Sequence, residues 1–272
     1  MARDIKKILI STMPRSGTVF FFNFMAELFE YSKLEPVFTG GFRPNPPEWD
    51  PYAFDKTYLD LKKGQVLCAH YNLNSDMNAI LDQEDTLGIY LYRDPRDVAV
   101  SSALYIKYGL PHHFLHKTFS DMSDADAITF MIAGGIVCAD KFPIDMVASP
   151  HDYIAYEGIS YFVENACSWI QDQRVMTIRY EDFFSNPLVL VDSANKCGVT
   201  IDPANIQEVS SKWNFKTAAQ GRVSGVEDKA SHFRKGVAGD YKNYFETIHY
   251  ALAKKFLGKS IIRLGYETSH AW

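Results

Sequence analysis

Residues 7–30 restrict the fold of this chain more than any other stretch, because they combine an apolar run, a tight turn and an amphipathic segment. The run at Ile8–Ile10 is typical of a central parallel strand that is covered on both faces. A proline and a glycine then interrupt the strand, and apolar residues recur at helical spacing at Phe21, Phe24, Met25 and Leu28. A strand that feeds a helix through such a turn presents backbone N–H groups and a positive dipole end to an anion. Since Arg15, Ser16 and Thr18 add a cation and two hydroxyls, the turn is predicted to bind phosphate or sulfate.

This turn differs from the phosphate loop of ATPases. The pattern GxxxxGK[ST] requires a glycine where Ser11 stands, and Ser16-Gly17 takes the place of Gly-Lys. No apolar strand that ends in a lone aspartate for Mg²⁺ is evident. An ATP-dependent kinase of similar fold is therefore a minor alternative, and a non-catalytic nucleotide-binding protein is a second one.

Composition limits the class of protein further. The 272 residues are 47% hydrophobic and 14% aromatic, which is enough for a sizeable core, and the net charge of −5 argues against general nucleic-acid binding. Four separated cysteines and the histidines near residue 113 show no metal-ligand spacing, so we expect no metal site, and we expect the cysteines to be small core residues. The N-terminus runs directly into the first strand and no long apolar run occurs, which predicts a cytoplasmic protein without a signal peptide or membrane span.

Further strands are predicted at 65–70 and 87–93, and a fourth within residues 174–187 that turns at Tyr180-Glu181-Asp182. Helices are predicted to follow at 188–196 and Pro203–Lys212. His70 and Arg93 fall at the C-terminal ends of their strands, where parallel sheets bind ligands. Asp94 and Pro95 are predicted to cap the next helix, which carries Ser101 two turns along.

The remaining segments complete the predicted architecture. Residues 35–57 are expected to form an irregular loop over the sheet, and residues 105–165 a surface lid of helices and loops. The closing helix, 246–257, is expected to pack through Ile248, Leu252 and Phe256. Alternation of strands and helices predicts an α/β fold, with a central parallel sheet flanked by helices and a P-loop-like anion site, in one domain over residues 1–272.

Four stretches, in this order, resemble the sulfotransferases that use 3′-phosphoadenosine 5′-phosphosulfate (PAPS). STMPRSGTVF is similar to the family's 5′-phosphosulfate loop YPKSGTTW, and YRDPRDVAVS to its 3′-phosphate segment, an Arg followed eight residues later by a Ser. RYEDFFSNP is similar to the YEDxxxNP turn. FRKGVAGDYKNYF resembles RKGxxGDWKNxF and differs at its defined positions only by Tyr241 in place of Trp.

The resemblance implies roles for individual residues. The 5′-phosphosulfate would be held by the loop that contains Arg15, Ser16, Gly17, Thr18, Val19 and Phe20, with Phe20 near the adenine. Tyr180 would contact the adenine as well. The 3′-phosphate would be bound by Arg93 and Ser101 together with Phe233, Arg234, Lys235 and Gly236. The family's KTH reads CAH here, which places His70 at the position of the general base.

Several positions depart from the family pattern. Arg15 replaces a lysine that follows the bridging oxygen during transfer, and an Arg keeps the charge but is a planar fork. Cys68 stands where a second lysine often helps. The dimer motif KxxxTVxxxE is poorly met, because only Lys242 agrees with it, so the sequence leaves the oligomeric state open.

The resemblance implies transfer of a sulfuryl group from PAPS to a hydroxyl or amine, by in-line displacement with His70 as base and with release of 3′-phosphoadenosine 5′-phosphate (PAP). The acceptor pocket is expected to be built from the segments 35–57 and 105–165. The acceptor is expected to be a small, partly flat molecule, because aromatic residues are frequent in and near these segments: Phe38, Phe42, Trp49, Tyr52, Phe54, Tyr71, Phe114, Phe119, Tyr153 and Tyr156. Acidic residues at 121–126 and Glu157 would also tolerate a cationic acceptor. The first segment further resembles sulfotransferases of microbial toxin and natural-product pathways.

Overall fold

The structure, a computed structural model, describes residues 3–35, 41–44, 47–50, 61–138 and 153–272. The chain forms two compact units. The first comprises Met1–Thr39, Tyr52–Arg93 and Asn165–Arg222. The second comprises Gly40–Pro51, Asp94–Glu164 and Val223–Trp272.

The first unit contains a five-stranded sheet in which every pair of neighbours is parallel. Its strands are β1 (Lys7–Thr12), β2 (Ser32–Leu34), β5 (Gln65–Ala69), β6 (Thr86–Tyr92) and β9 (Val175–Arg179), arranged in the order β2-β5-β1-β6-β9. Strand β1 lies at the centre, between β5 and β6. The ends of these three strands therefore meet at one edge of the sheet.

Burial along the central strands shows why they form a parallel sheet. Ile8, Leu9 and Ile10 are all fully buried, as are Leu67 on β5 and Leu91 on β6. Successive residues of a strand point to opposite faces, so consecutive buried residues mean that both faces are covered. The apolar run in the sequence predicted this arrangement.

Helices cover the sheet within the first unit. The helices of this unit are α1 (Thr18–Leu28), α2 (Ser75–Leu81), α7 (Tyr180–Ser185), α8 (Val189–Lys196), α9 (Pro203–Lys212) and α10 (Phe215–Ala218). Helix α1 contacts β5, α2 contacts β6, and both α7 and α8 contact β9. The predicted α/β class, with a central parallel sheet flanked by helices, is confirmed. The organisation as one domain over residues 1–272 stays a prediction.

The second unit is mainly helical and carries two antiparallel hairpins. Its helices are α3 (Pro95–Gly109), α4 (His116–Ser120), α5 (Asp124–Ala133), a 3₁₀ turn (Asp240–Asn243) and α11 (Thr247–Arg263). The hairpins pair β3 (Gly41–Pro44) with β4 (Pro47–Asp50), and β7 (Gly135–Cys138) with β8 (Tyr153–Tyr156). Helix α6 (Ser160–Trp169) belongs to this unit up to Glu164 and to the first unit from Asn165.

The helix boundaries agree closely with the sequence signals. Asp94 caps α3 through its side chain, which accepts a hydrogen bond from the backbone of Arg96, and Pro95 opens the helix. Helix α9 spans the predicted range. No helix among the described residues is long and apolar enough to cross a membrane.

Two predictions of local structure were wrong. The segment 35–57 was predicted to be irregular, yet the parts of it at Gly41–Pro44 and Pro47–Asp50 pair as a hairpin; residues 36–40, 45–46 and 51–60 lie outside the described residues. The closing helix was predicted to pack through Ile248, Leu252 and Phe256, but Ile248 is 51% and Phe256 42% exposed. The adjoining face of α11, one residue further along with His249, Ala253 and Leu257, is the buried one.

Candidate active site

The loop between β1 and α1 has an unusual backbone at two positions. Arg15 has a φ of 62° and Gly17 a φ of 87°, so both lie in the left-handed region on either side of Ser16. A non-glycine residue in this region costs of order 1–3 kcal/mol and persists only where its surroundings enforce it. Buried Ser16 supplies part of that support, because its hydroxyl donates to the carbonyl oxygen of Met13 and lies 3.4 Å from that of Leu91. Ser16 thus ties the loop to the ends of β1 and β6.

Gly17 begins α1 and lies against two aromatic rings. A Cβ atom built on Gly17 would lie 3.0 Å from the Phe184 ring and 3.2 Å from the Tyr180 ring. Gly17 is the N-cap residue of α1 and has no side chain that could accept a hydrogen bond from the first turn, and the first turn of α1 contains no acidic residue. A helix terminus of this kind offers its first-turn N–H groups and its dipole to an external anion.

His70 directly follows β5 and contacts the end of the neighbouring strand β1. Its Nδ1 lies 2.8 Å from the carbonyl oxygen of Thr12 and 3.0 Å from Thr12 Oγ1, and Thr12 Oγ1 lies 2.8 Å from Thr18 Oγ1. Because a carbonyl oxygen only accepts, the shorter contact requires a proton on Nδ1, and a neutral ring then carries its lone pair on Nε2. Burial lowers the pKa of His70 to about 4, and the nearby charge of Arg15 acts in the same direction. The ring is therefore neutral at pH 7.

Arg93 follows β6 and links the loop to α7. Its Nη1 donates to the carbonyl oxygen of Arg15 at 3.1 Å, and its guanidinium lies 4.3 Å from the centre of the Tyr180 ring. Both Arg93 and Tyr180, the first residue of α7, are buried. The contact with Tyr180 is a cation–π stack that fixes the plane of the guanidinium.

Phe20 and Val19 lie in different surroundings, although both follow the loop. The buried Phe20 ring packs in an aromatic cluster with Phe24, Phe183, Phe184 and Trp213. Val19 is 42% exposed. Packing accounts for Phe20 without a ligand, so its predicted place near an adenine stays a prediction.

The second unit carries the other predicted binding residues. Ser101 is buried on α3. Asp97, one turn before it, accepts hydrogen bonds from the backbone N–H of Gly239 at 2.7 Å and of Tyr241 at 2.8 Å. This carboxylate therefore joins α3 to the backbone at Gly239 and Tyr241, three to five residues after Gly236.

Within each unit the structure brings a set of predicted residues together. In the first unit Arg93 contacts both the loop at 15–18 and Tyr180, and His70 is linked to the same loop through Thr12. In the second unit Asp97, on the helix that carries Ser101, binds the backbone at Gly239 and Tyr241, which follows the 233–236 segment in the chain. The roles of all these residues stay predictions.

The chain matches the family model described as the sulfotransferase domain over residues 5–265. The chain belongs to the sulfotransferase domain family. The predicted family and enzyme class are thereby confirmed.

Solved sulfotransferase structures share this fold at low sequence identity. Mouse sulfotransferase SULT7A1 complexed with PAP is 18% identical, with a TM-score of 0.60, and the match covers 96% of this chain and 85% of that one. Retinol dehydratase in complex with androsterone and PAP is 19% identical, with a TM-score of 0.55 and coverage of 93% and 80%. Comparison with curated protein sequences gave no match.

One departure from the family pattern, Cys68, can be placed in the structure of this sulfotransferase. Cys68 lies two residues before His70, is buried, and has a pKa raised by burial, so the thiol supplies no charge where relatives have a lysine. Cys167 is buried too, as predicted, whereas Cys197 is only half-buried. In the part of the chain that the structure describes, no group of three or more His, Cys, Asp or Glu side chains is arranged to hold a metal ion.

Sequence reasoning missed several residues of the site. Thr12 holds His70, Phe184 packs on Gly17, and Asp240 contacts both Arg234 and Lys235. The position of Thr12 at the end of β1, next to the loop, was the available signal. Phe184 and Asp240 lie inside two of the family motifs, but within those motifs the sequence analysis assigned roles only to Tyr180 and to residues 233–236.

Proposed function

We propose that this sulfotransferase transfers a sulfuryl group from PAPS to a hydroxyl or amine of a small-molecule acceptor, with His70 as the general base. The observation that carries the proposal is the contact of His70 Nδ1 with Thr12, at the ends of two neighbouring parallel strands. It holds a neutral imidazole beside the loop of Arg15. A base and an anion-binding loop at one strand edge are what sulfuryl transfer requires.

The residues of the loop fit a phosphosulfate group. The start of α1 has no side-chain cap, and Gly17 lacks a Cβ at the point where the backbone lies against Phe184. When bound, PAPS supplies an activated sulfuryl group. Arg15 and the first-turn N–H groups of α1 would hold its 5′ end, and Arg93, stacked on Tyr180, would hold another phosphate.

The chemistry then follows from the tautomer of His70. Nε2 takes the proton of the acceptor hydroxyl or amine while the acceptor oxygen or nitrogen forms its bond to sulfur. Arg15 and the α1 terminus neutralise the charge on the bridging oxygen whose bond to sulfur breaks, and PAP leaves with that electron pair. A positioned base typically contributes about 10²–10⁴-fold to the rate. A pKa near 4 keeps the ring neutral and also makes it a weaker base.

The described residues narrow the acceptor site. Tyr71, Phe114 and Phe119 are buried, so they are core residues; Phe38, Tyr52 and Phe54 lie outside the described residues, as do the side chains of Phe42, Trp49 and Tyr153. The retinol dehydratase structures contain androsterone or retinol, which are small apolar alcohols. We propose that the acceptor of this chain is likewise a small, partly flat molecule.

A cationic acceptor has less support. Asp124, one of the acidic residues predicted to tolerate it, already pairs with Lys107 at 2.9 Å and with Lys229 at 2.7 Å. Burial alone would raise the pKa of the Asp124 carboxyl, but its hydrogen bonds to Lys107, Lys229 and Tyr108 together outweigh burial and lower the pKa. The charge of Asp124 is therefore compensated within the protein.

Thermal melting with PAP, with 5′-AMP as the control, tests the proposed donor. Ligand at 100 times its Kd should stabilise the protein by about 2.7 kcal/mol. A shift with PAP that 5′-AMP does not reproduce supports a nucleotide with a 3′-phosphate and justifies an acceptor screen with PAPS. Absence of a shift with either nucleotide contradicts the proposal.

A further inference from the structure

Two cations of the 233–236 segment contact one buried carboxylate. Arg234 Nη2 lies 2.7 Å from Asp240 Oδ2, and Lys235 Nζ lies 2.6 Å from Asp240 Oδ1. The Asp240 side chain is 0% exposed and that of Arg234 4%, whereas that of Lys235 is 20% exposed. Arg234 and Lys235, which the family resemblance implies bind the nucleotide, are thus already paired with an acidic side chain of the protein.

A second carboxylate holds the other side of Arg234. Glu227 accepts from Arg234 Nη1, and the Tyr244 hydroxyl lies 2.6 and 2.7 Å from the two Glu227 oxygens. The guanidinium therefore lies between Asp240 and Glu227. Two cations face two carboxylates, so the four side chains sum to no net charge.

The carboxylates stand on a fixed backbone. Asp97 binds the N–H groups on either side of Asp240, those of Gly239 and Tyr241. Asn243 donates to Asp240 Oδ1 at 2.8 Å. The strip at 224–228 is joined to the cation segment as well, because Gly225 N–H donates to the Lys235 carbonyl and Asp228 N–H to the Arg234 carbonyl.

These contacts permit two opposite roles for Asp240. A competing carboxylate would occupy the cations until a phosphate displaced it, whereas an orienting carboxylate would stay bound and aim them at the phosphate. Displacement would require Asp240 to leave Asn243 and a backbone fixed by Asp97, and to remain buried without its cations, which is costly. An ammonium has three donors and a guanidinium five, so each can bind a carboxylate and a phosphate together. The geometry favours orientation.

We propose that Asp240 is a positioning residue that orients Arg234 and Lys235 toward a phosphate monoester of the bound nucleotide, with Glu227 fixing the far side of Arg234. The inference rests on the proposed function, because it needs a nucleotide with a second phosphate. It assigns to two carboxylates a favourable part in binding an anion. On charge alone, both would be expected to weaken that binding.

The sign of the effect of Asp240→Asn decides between the roles. Titration calorimetry with PAP and 5′-AMP on the full chain should show PAP binding weakened at least tenfold, although the variant has lost one negative charge. Binding of 5′-AMP should change little, so the ratio of the two affinities falls. A merely unstable protein would lose affinity for both ligands. Tighter PAP binding by the variant would establish competition and overturn the proposal.

Milder variants cover the case in which Asp240→Asn does not fold. Asn243→Ala removes a hydrogen bond to Asp240 without changing charge, and Tyr244→Phe does the same for Glu227. Both should lower PAP affinity severalfold and leave 5′-AMP binding unchanged. Unchanged PAP affinity in both would contradict positioning while the proposed function stood. Failure of the unmodified protein to bind PAP would overturn both proposals.

Discussion

The imidazole of His70 donates from Nδ1 to the carbonyl oxygen of Thr12 over 2.8 Å. The two residues are 58 positions apart in the chain and meet because β1 and β5 pair in parallel. The contact fixes which ring nitrogen is basic. Thr12 Oγ1 also forms a hydrogen bond with Thr18 Oγ1 at the start of α1. Thr12 therefore contacts both the proposed base and the first residue of α1, next to the proposed anion-binding loop, and the predictions below test the consequences.

His70→Ala should remove most turnover and spare nucleotide binding. The expected loss in kcat is about 10²–10⁴-fold, the usual contribution of a positioned base. Steady-state kinetics with PAPS, together with PAP binding by calorimetry, measure the two effects separately. Near-normal kcat in the variant would eliminate His70 as the base.

The pH dependence should reveal the environment of His70. Its pKa is lowered from 6.5 to about 4, chiefly by burial, so the base form should persist well below pH 6.5 and kcat should fall only as pH approaches 4. In the unfolded chain His70 takes up a proton near pH 6.5, whereas in the folded chain it does so only near pH 4. Its contribution to the free energy of unfolding is therefore fully present above pH 6.5 and is lost as pH falls through the folded pKa. An acid limb centred near pH 6.5 that His70→Gln abolishes would show that the ring is more solvated than the structure indicates.

Gly17→Ala should damage the loop more than an equivalent change elsewhere. The left-handed backbone alone costs an alanine about 1–2 kcal/mol, and the new Cβ would also lie 3.0 Å from Phe184. Gly221→Ala is the matched control, because Gly221 has a φ of 96° with no atom within 4 Å of the added Cβ. Chemical denaturation should show a larger loss for Gly17→Ala, and only that variant should lose PAP affinity. Equal losses would mean that Phe184 yields to the methyl group.

Arg93→Ala should raise the KM for PAPS. Hydrogen bonds to charged groups contribute about 1.5–3 kcal/mol, so an increase of about tenfold to a hundredfold is expected. Arg93→Lys should give a KM for PAPS between those of the unmodified protein and of Arg93→Ala, because an ammonium keeps the charge and loses the planar guanidinium over the Tyr180 ring. If KM for PAPS stays unchanged in the alanine variant, Arg93 does not bind the nucleotide.

Local signals were enough for the parts of the fold that depend on neighbours in the chain. The apolar run before Gly17 predicted a buried strand, and Asp94 with Pro95 predicted the start of α3. The periodicity of α11 was not enough, because it marks an apolar face without saying which face finds a partner. In the structure, His249 bonds the Ala125 carbonyl oxygen at 3.0 Å and turns Ile248 and Phe256 outward.

The sequence by itself determined the strand-turn-helix at residues 7–28, the parallel sheet around it and the residues that carry the family's motifs. The tertiary structure alone decided the tautomer and lowered pKa of His70, and the pairing of Arg234 and Lys235 with Asp240. The physical reason is that strand and helix signals arise from residues close together in the chain. A pKa and an ion pair depend on groups that only folding brings into contact, as it does for Thr12 and His70.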